Sequence, residues 1–167
     1  MTLQDLNNLS PEKRKTILLK CCASNSWADR MNNFFPFEDL IELIETAEEQ
    51  WFLCKPDDWK EAFAGHPKIG DQSKTKVPIG SADEWAAEEQ KSVGDGSEYT
   101  LNALADYNRK YEEKFGYIFI VNATGKTADE ILGILTTRLR NDAQMELNIA
   151  AEEQNKITRI RLEKLFK

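Results

Sequence analysis

Only one stretch of this chain, Tyr117-Ile118-Phe119-Ile120-Val121, has the unbroken β-branched and aromatic character of a strand. A lone strand has no ladder to join, so its backbone groups must find other partners. The run is predicted to be a buried extended connector, and the rest of the chain must fold as helices. Ser10-Pro11-Glu12 supplies an N-cap, a proline at the first helical position and an early acid, opening a helix toward Cys22. Pro36 precedes a stretch with Leu40, Ile41, Ile44 and Ala47 at helical spacing. A short helix is expected around Asp57 to Ala64, carrying Trp59 and Phe63 inward. Ser81-Ala82-Asp83-Glu84 and Thr127-Ala128-Asp129-Glu130 both read as capping boxes. The first opens a helix to about Val93, where Gly94-Asp95-Gly96 breaks it; the second opens a helix through Leu139. Between them Leu101, Leu104, Ala105, Tyr111 and Phe115 mark a helix that Gly116 stops. The last helix is expected from near Asn141 to about Leu165. The expected architecture is all-α, a single domain over residues 1–167 built as a bundle of about seven or eight helices.

Composition removes several function classes. A formal charge of −7 argues against nucleic acid, because short basic clusters such as Lys13-Arg14-Lys15 punctuate helices rather than form a dense patch. No apolar run approaches the roughly 20 residues that span a bilayer, so no membrane partner is expected. Met1-Thr2-Leu3-Gln4-Asp5 lacks the features of a signal peptide, and Leu165-Phe166-Lys167 is not a peroxisomal address. Cys21, Cys22 and Cys54 are odd in number and lack metal spacing, and the adjacent pair lies in an apolar helical stretch. With one histidine and no Cys-x-x-Cys, the residues argue against a zinc site. A reduced, cytoplasmic, metal-free protein is the expectation.

The single histidine lies in Gly65-His66-Pro67-Lys68-Ile69-Gly70-Asp71. Histidine is the side chain that titrates near neutral pH unaided, which makes it the first candidate for proton transfer. Pro67 pushes His66 toward an extended conformation, and Gly65 and Gly70 permit tight bends on either side. The segment from Gly65 to Gly80 has no helical period, and a loop that long in a compact domain is usually functional or mobile. An incidental loop histidine is the plain alternative. Two charged residues also occupy apolar stripes. Trp85, Glu89 and Val93 share one helical face, and Leu147, Ala150, Gln154, Ile157, Arg161 and Leu165 share another. A buried glutamate or arginine is costly without a partner. Either the two simply pair, or Arg161 offsets a helix dipole, or with His66 they line a pocket that holds an anion and moves a proton.

His66-Pro67-Lys68-Ile69-Gly70, then Glu88-Glu89-Gln90, then Tyr111-Glu112-Glu113-Lys114-Phe115-Gly116-Tyr117-Ile118-Phe119-Ile120-Val121, resemble the OHCU decarboxylases of urate degradation. Glu152-Glu153 and the Ile157 to Leu162 region fit the family's last helix, so the resemblance runs over almost the whole chain in order. It implies an all-helical, often dimeric fold and a cofactor-free decarboxylation. The substrate implied is 2-oxo-4-hydroxy-4-carboxy-5-ureidoimidazoline, and the products are (S)-allantoin and carbon dioxide. By resemblance His66 is the catalytic acid/base, with Pro67 in the pocket wall. Glu89 and Gln90 hydrogen-bond the ureido and ring amides, and Arg161 holds an anionic part of the substrate. Phe119, Ile120, Val121, Asn122 and Ala123 contribute backbone groups to the ring edge. The family commonly places a serine where this chain has Ala86, so a hydroxyl contact is lost or supplied by another group such as Ser81 or water.

The chemistery asked of such residues is modest. The ring C=N beside the carboxylated carbon can accept the electron pair that carbon dioxide leaves behind, a task for which many decarboxylases need a cofactor. Lys68, Lys74, Lys76 and Arg161 would offset the chain's negative charge near the site. Two other readings fit the residues alone: a metal-free cyclic ureide hydrolase with His66 as base and Glu89 orienting it, and a non-catalytic helical binding module.

Overall fold

The computed structural model describes residues 1–70 and 82–167. Among them there are ten helices and no strand. They fall into two compact units, Met1–Gly65 with Gln154–Lys167, and His66–Glu153.

The first unit contains α1 (Leu3–Asn7), α2 (Pro11–Cys21), α3 (Asn25–Asn32), α4 (Leu40–Phe52), α5 (Pro56–Ala64) and the end of α10 (Ala143–Lys164). Helix α2 starts at Pro11 behind Ser10 as expected, with the proline at its first position, although the Ser10 side chain makes no capping hydrogen bond. Helix α3 lies at the centre, packing on α2, α4 and α5. Trp27 is fully buried and donates its indole N–H to the Ala47 carbonyl at 3.0 Å, so this large ring enters the core with its polar atom satisfied. Phe63 is buried as expected, and Trp59 is half-buried with its indole donating to the Trp51 carbonyl. The apolar face of α4 is turned from the expected one. Leu43, Ala47, Gln50 and Trp51 face inward, whereas Ile41 is 67% exposed. The largest side chain on the helix, Trp51, takes the core, and the helical period back from it passes through Ala47 and Leu43. The cysteines are free and buried, and burial pushes Cys22 up to about 12 and Cys54 up to about 11, so the thiols behave as small apolar groups.

The second unit contains α6 (Ala82–Glu89), α7 (Lys91–Gly94), α8 (Glu98–Phe115), α9 (Ala128–Arg138) and the start of α10. Helices α8 and α9 form its main packed pair. Helix α8 ends at Gly116, whose φ of 80° is the left-handed turn that glycine adopts without strain. Thr127 and Glu130 form the expected capping box at α9. Residues 117–123 belong to no helix or strand, with Tyr117, Phe119, Ile120, Val121 and Ala123 buried: the strand-like run is a buried connector.

Ten helices replace the expected seven or eight. Helices α1 and α3 are short and polar, too brief for a stripe to stand out. The expected helix to Val93 is two helices, because the ladder tightens at Gln90: Gln90 N–H reaches the Ala86 carbonyl, but Val93 N–H reaches back only to Gln90. Ser81, Lys74, Lys76 and the part of the loop from Asp71 to Gly80 lie outside the described residues. No described helix is long and apolar enough to cross a membrane.

Candidate active site

His66 opens the second unit, half-buried, on the stretch that leaves α5. Pro67 beside it is also half-buried. The three residues that follow are each held by a side chain. Lys68 Nζ meets Glu112 Oε2 at 2.6 Å, the Ile69 carbonyl accepts from Asn108 Nδ2 at 3.0 Å, and the Gly70 N–H donates to Gln90 Oε1 at 3.0 Å. The last bond fixes the orientation of the Gln90 amide, since a backbone N–H can be received only by its oxygen. The –NH2 end of Gln90 is thereby its donor for anything else. Glu89, 9% exposed at the end of α6, is turned inward as its stripe predicts, and Ala86 one turn earlier is buried.

The connector of residues 117–123 is tied by charged side chains. Arg138 Nη1 donates to the Ile120 carbonyl at 2.6 Å and its guanidinium lies 4.6 Å from the centre of the Phe119 ring. The Asn122 N–H donates to Glu153 Oε2 at 2.7 Å, and the Asn122 carbonyl accepts from Lys126 Nζ at 2.7 Å. Three of the backbone groups expected at a ring edge therefore have partners within this unit. Arg138 in turn pairs with Glu146 at 2.6 Å, and Glu146 also accepts from the Tyr111 hydroxyl and from Asn141 Nδ2. Burial first, and the bond to Glu146 with it, raises the Tyr111 phenol far above its usual range, so it stays protonated, donating to Glu146 and accepting a longer contact from Arg138 Nη2 at 3.5 Å.

Arg161 belongs to the first unit. It is 4% exposed on α10, with Nη1 3.5 Å from the Lys20 carbonyl and with Gln154, Ile157 and Thr158 buried on the turns before it. It is an inward charge, as its place on the apolar stripe predicts. The second unit brings together His66, Pro67, Ala86, Glu89, Gln90 and Phe119 to Ala123. Sequence reasoning passed over Asn108, Arg138 and Glu146, although the same stripe rule marks the first two: Leu104, Asn108 and Tyr111 share one face, and Ile131, Leu135 and Arg138 another. Among the described residues no group of three or more His, Cys, Asp or Glu side chains gathers as a metal site.

The described residues make an all-helical fold in which a loop histidine and an inward carboxylate lie in one unit and a buried guanidinium lies in the other. The family model for OHCU decarboxylase matches residues 7–163, and the chain belongs to that family. It is 39% identical over 147 residues, 87% of its length, to the uric acid degradation bifunctional protein TTL of Arabidopsis thaliana. It spans only 45% of that relative, and 32% of a second bifunctional protein from a Bacillus strain. It is 23% identical to the 2-oxo-4-hydroxy-4-carboxy-5-ureidoimidazoline decarboxylase of Haloferax volcanii, covering 99% of this chain and 96% of that one. A solved OHCU decarboxylase crystallised in the presence of (S)-allantoin superposes with a TM-score of 0.77 at 36% identity, over 95% of this chain and 99% of the other.

Proposed function

We propose that this chain decarboxylates 2-oxo-4-hydroxy-4-carboxy-5-ureidoimidazoline to (S)-allantoin and carbon dioxide without a cofactor. The observation that supports it most is the likeness to the solved OHCU decarboxylase over nearly the full length of both chains. In this reaction the bond between ring carbon and carboxylate breaks and its electron pair moves into the adjacent C=N. The hydroxyl-bearing carbon becomes a carbonyl as its proton leaves, and a proton added to one face of the neighbouring carbon sets the configuration. His66 moves a proton, Arg161 holds the anionic group, Glu89 accepts from ureido or ring N–H groups, and Gln90 donates from its –NH2 end. Pro67 and Ala86 shape the wall. The segment Phe119 to Ala123 supplies ring-edge contacts. One domain over both units, a homodimer and a cytoplasmic location belong to the same reading.

The test couples the protein to urate oxidation and hydroxyisourate hydrolysis and follows the circular dichroism of the allantoin formed, with carbon dioxide measured in parallel. Stoichiometric carbon dioxide with accelerated (S)-allantoin is expected, unchanged after dialysis against a chelator. Ring opening without carbon dioxide would mean a hydrolase, and activity lost to the chelator but restored by zinc or manganese would overturn the cofactor-free mechanism.

Arg161→Ala should weaken binding of substrate or of allantoin by about 1.5–3 kcal/mol, the scale of hydrogen bonds to charged groups. Arg161→Lys should recover part of it, since an ammonium lacks the planar fork. Calorimetric titration with allantoin reads both. Wild-type affinity in both variants would assign Arg161 to the fold alone.

A further inference from the structure

We propose that Asn108 is a positioning residue that sets the place of the His66 imidazole by holding the Ile69 carbonyl. The proposal rests on the reading of His66 as the proton-transfer group. Of the ties at Lys68, Ile69 and Gly70, Lys68–Glu112 is half exposed, with side-chain exposures of 51% and 41%, and water screens it. Gln90 is assigned to the substrate as well as to Gly70. Asn108 is different. It is 7% exposed on the inward face of α8, between Leu104 and Tyr111, where an apolar side chain would pack at no polar cost. Its bond to Ile69 offsets that cost and reaches a carbonyl three residues from His66. Pro67 locks one of the dihedrals in between and restricts His66 itself, so little slack separates the held carbonyl from the imidazole. Gly70 follows with a φ of 80°, turning the chain immediately after the anchored peptide.

Releasing Ile69 leaves the catalytic groups present but lets the loop wander, and a misplacement of about 1 Å can cost about 100-fold in rate. Asn108→Ala should lower kcat by at least about 10-fold and change KM by less than about 3-fold, because the substrate contacts stay. The chain's single histidine gives a direct readout, since its imidazole Cε1–H signal in the NMR spectrum can come only from His66. In Asn108→Ala that signal should shift, broaden or split, and its pH titration should move, while the indole N–H signals of the four tryptophans stay in place. Asn108→Leu refills the volume and gives the same readout should the alanine variant lose its fold. Arg109→Ala, which breaks an exposed pair with Glu113 on the same helix, is the control and should leave both readouts unchanged. A His66 signal and kcat matching wild type in a folded Asn108 variant would overturn the proposal. Should the wild-type chain release no carbon dioxide while the imidazole signal still moves in the variant, the decarboxylase reading fails and the positioning role stands.

Discussion

Replacing His66 by asparagine is expected to lower kcat by at least about 100-fold, the usual scale for loss of a general acid or base. Asparagine keeps a planar polar side chain on the loop and removes only the titrating ring. The chain has no second histidine to take over, so compensation from a neighbour is not available. His66 is half-buried and the loop is anchored by Asn108, Gln90 and Glu112 through other residues, so the thermal midpoint should stay close to wild type. On the proposed reading, in which Arg161, Glu89 and Gln90 hold the substrate, KM should change far less than kcat. Turnover above half of wild type would remove His66 from the chemistry.

The sequence made the helices with strong ends easy to find. Pro11 at a first helical position, the Thr127–Glu130 box and Gly116 each mark a boundary through one local feature, and each boundary is where it was expected within a residue or so. The lone strand-like run was legible for a different reason: without a second strand it could only be a connector. Helix α3 was not legible, because Trp27, Ala28 and Met31 are its only buried residues in eight and the rest is polar. The outward turn of Ile41 on α4 depends on which side chain wins the core, a tertiary matter that spacing alone does not decide. The inward placement of Glu89 and Arg161 followed from their stripes. What the stripes could not show is who answers a buried polar group. Asn108 finds a loop carbonyl 39 residues away, and Arg138 finds Glu146 on the next helix and the Ile120 carbonyl, partners that no helical spacing joins.

The largest loss of stability is expected at that last pair. Glu146 is fully buried and Arg138 nearly so, with Arg138 Nε and Nη2 at 2.8 and 2.6 Å from one carboxylate oxygen. Removing one member strands the other charge in a medium that solvates it poorly, so Arg138→Met and Glu146→Leu should each cost about 3–5 kcal/mol in urea unfolding. The double variant should cost less than the sum, and much less if the apolar side chains pack, because no charge is then left alone. Tyr111→Phe removes one donor while Arg138 and Asn141 still serve the carboxylate, and about 1 kcal/mol is the expected loss. The order distinguishes a charge network from ordinary packing, in which Tyr111→Phe would be neutral and the two charge variants would simply add. Function follows the same residues. Arg138 also donates to Ile120, so a folded double variant should bind allantoin more weakly than Tyr111→Phe does, the ring-edge segment having lost its outer tie. Single variants within about 1 kcal/mol of wild type would mean that the pair is answered by water and that the connector is held by its apolar side chains alone.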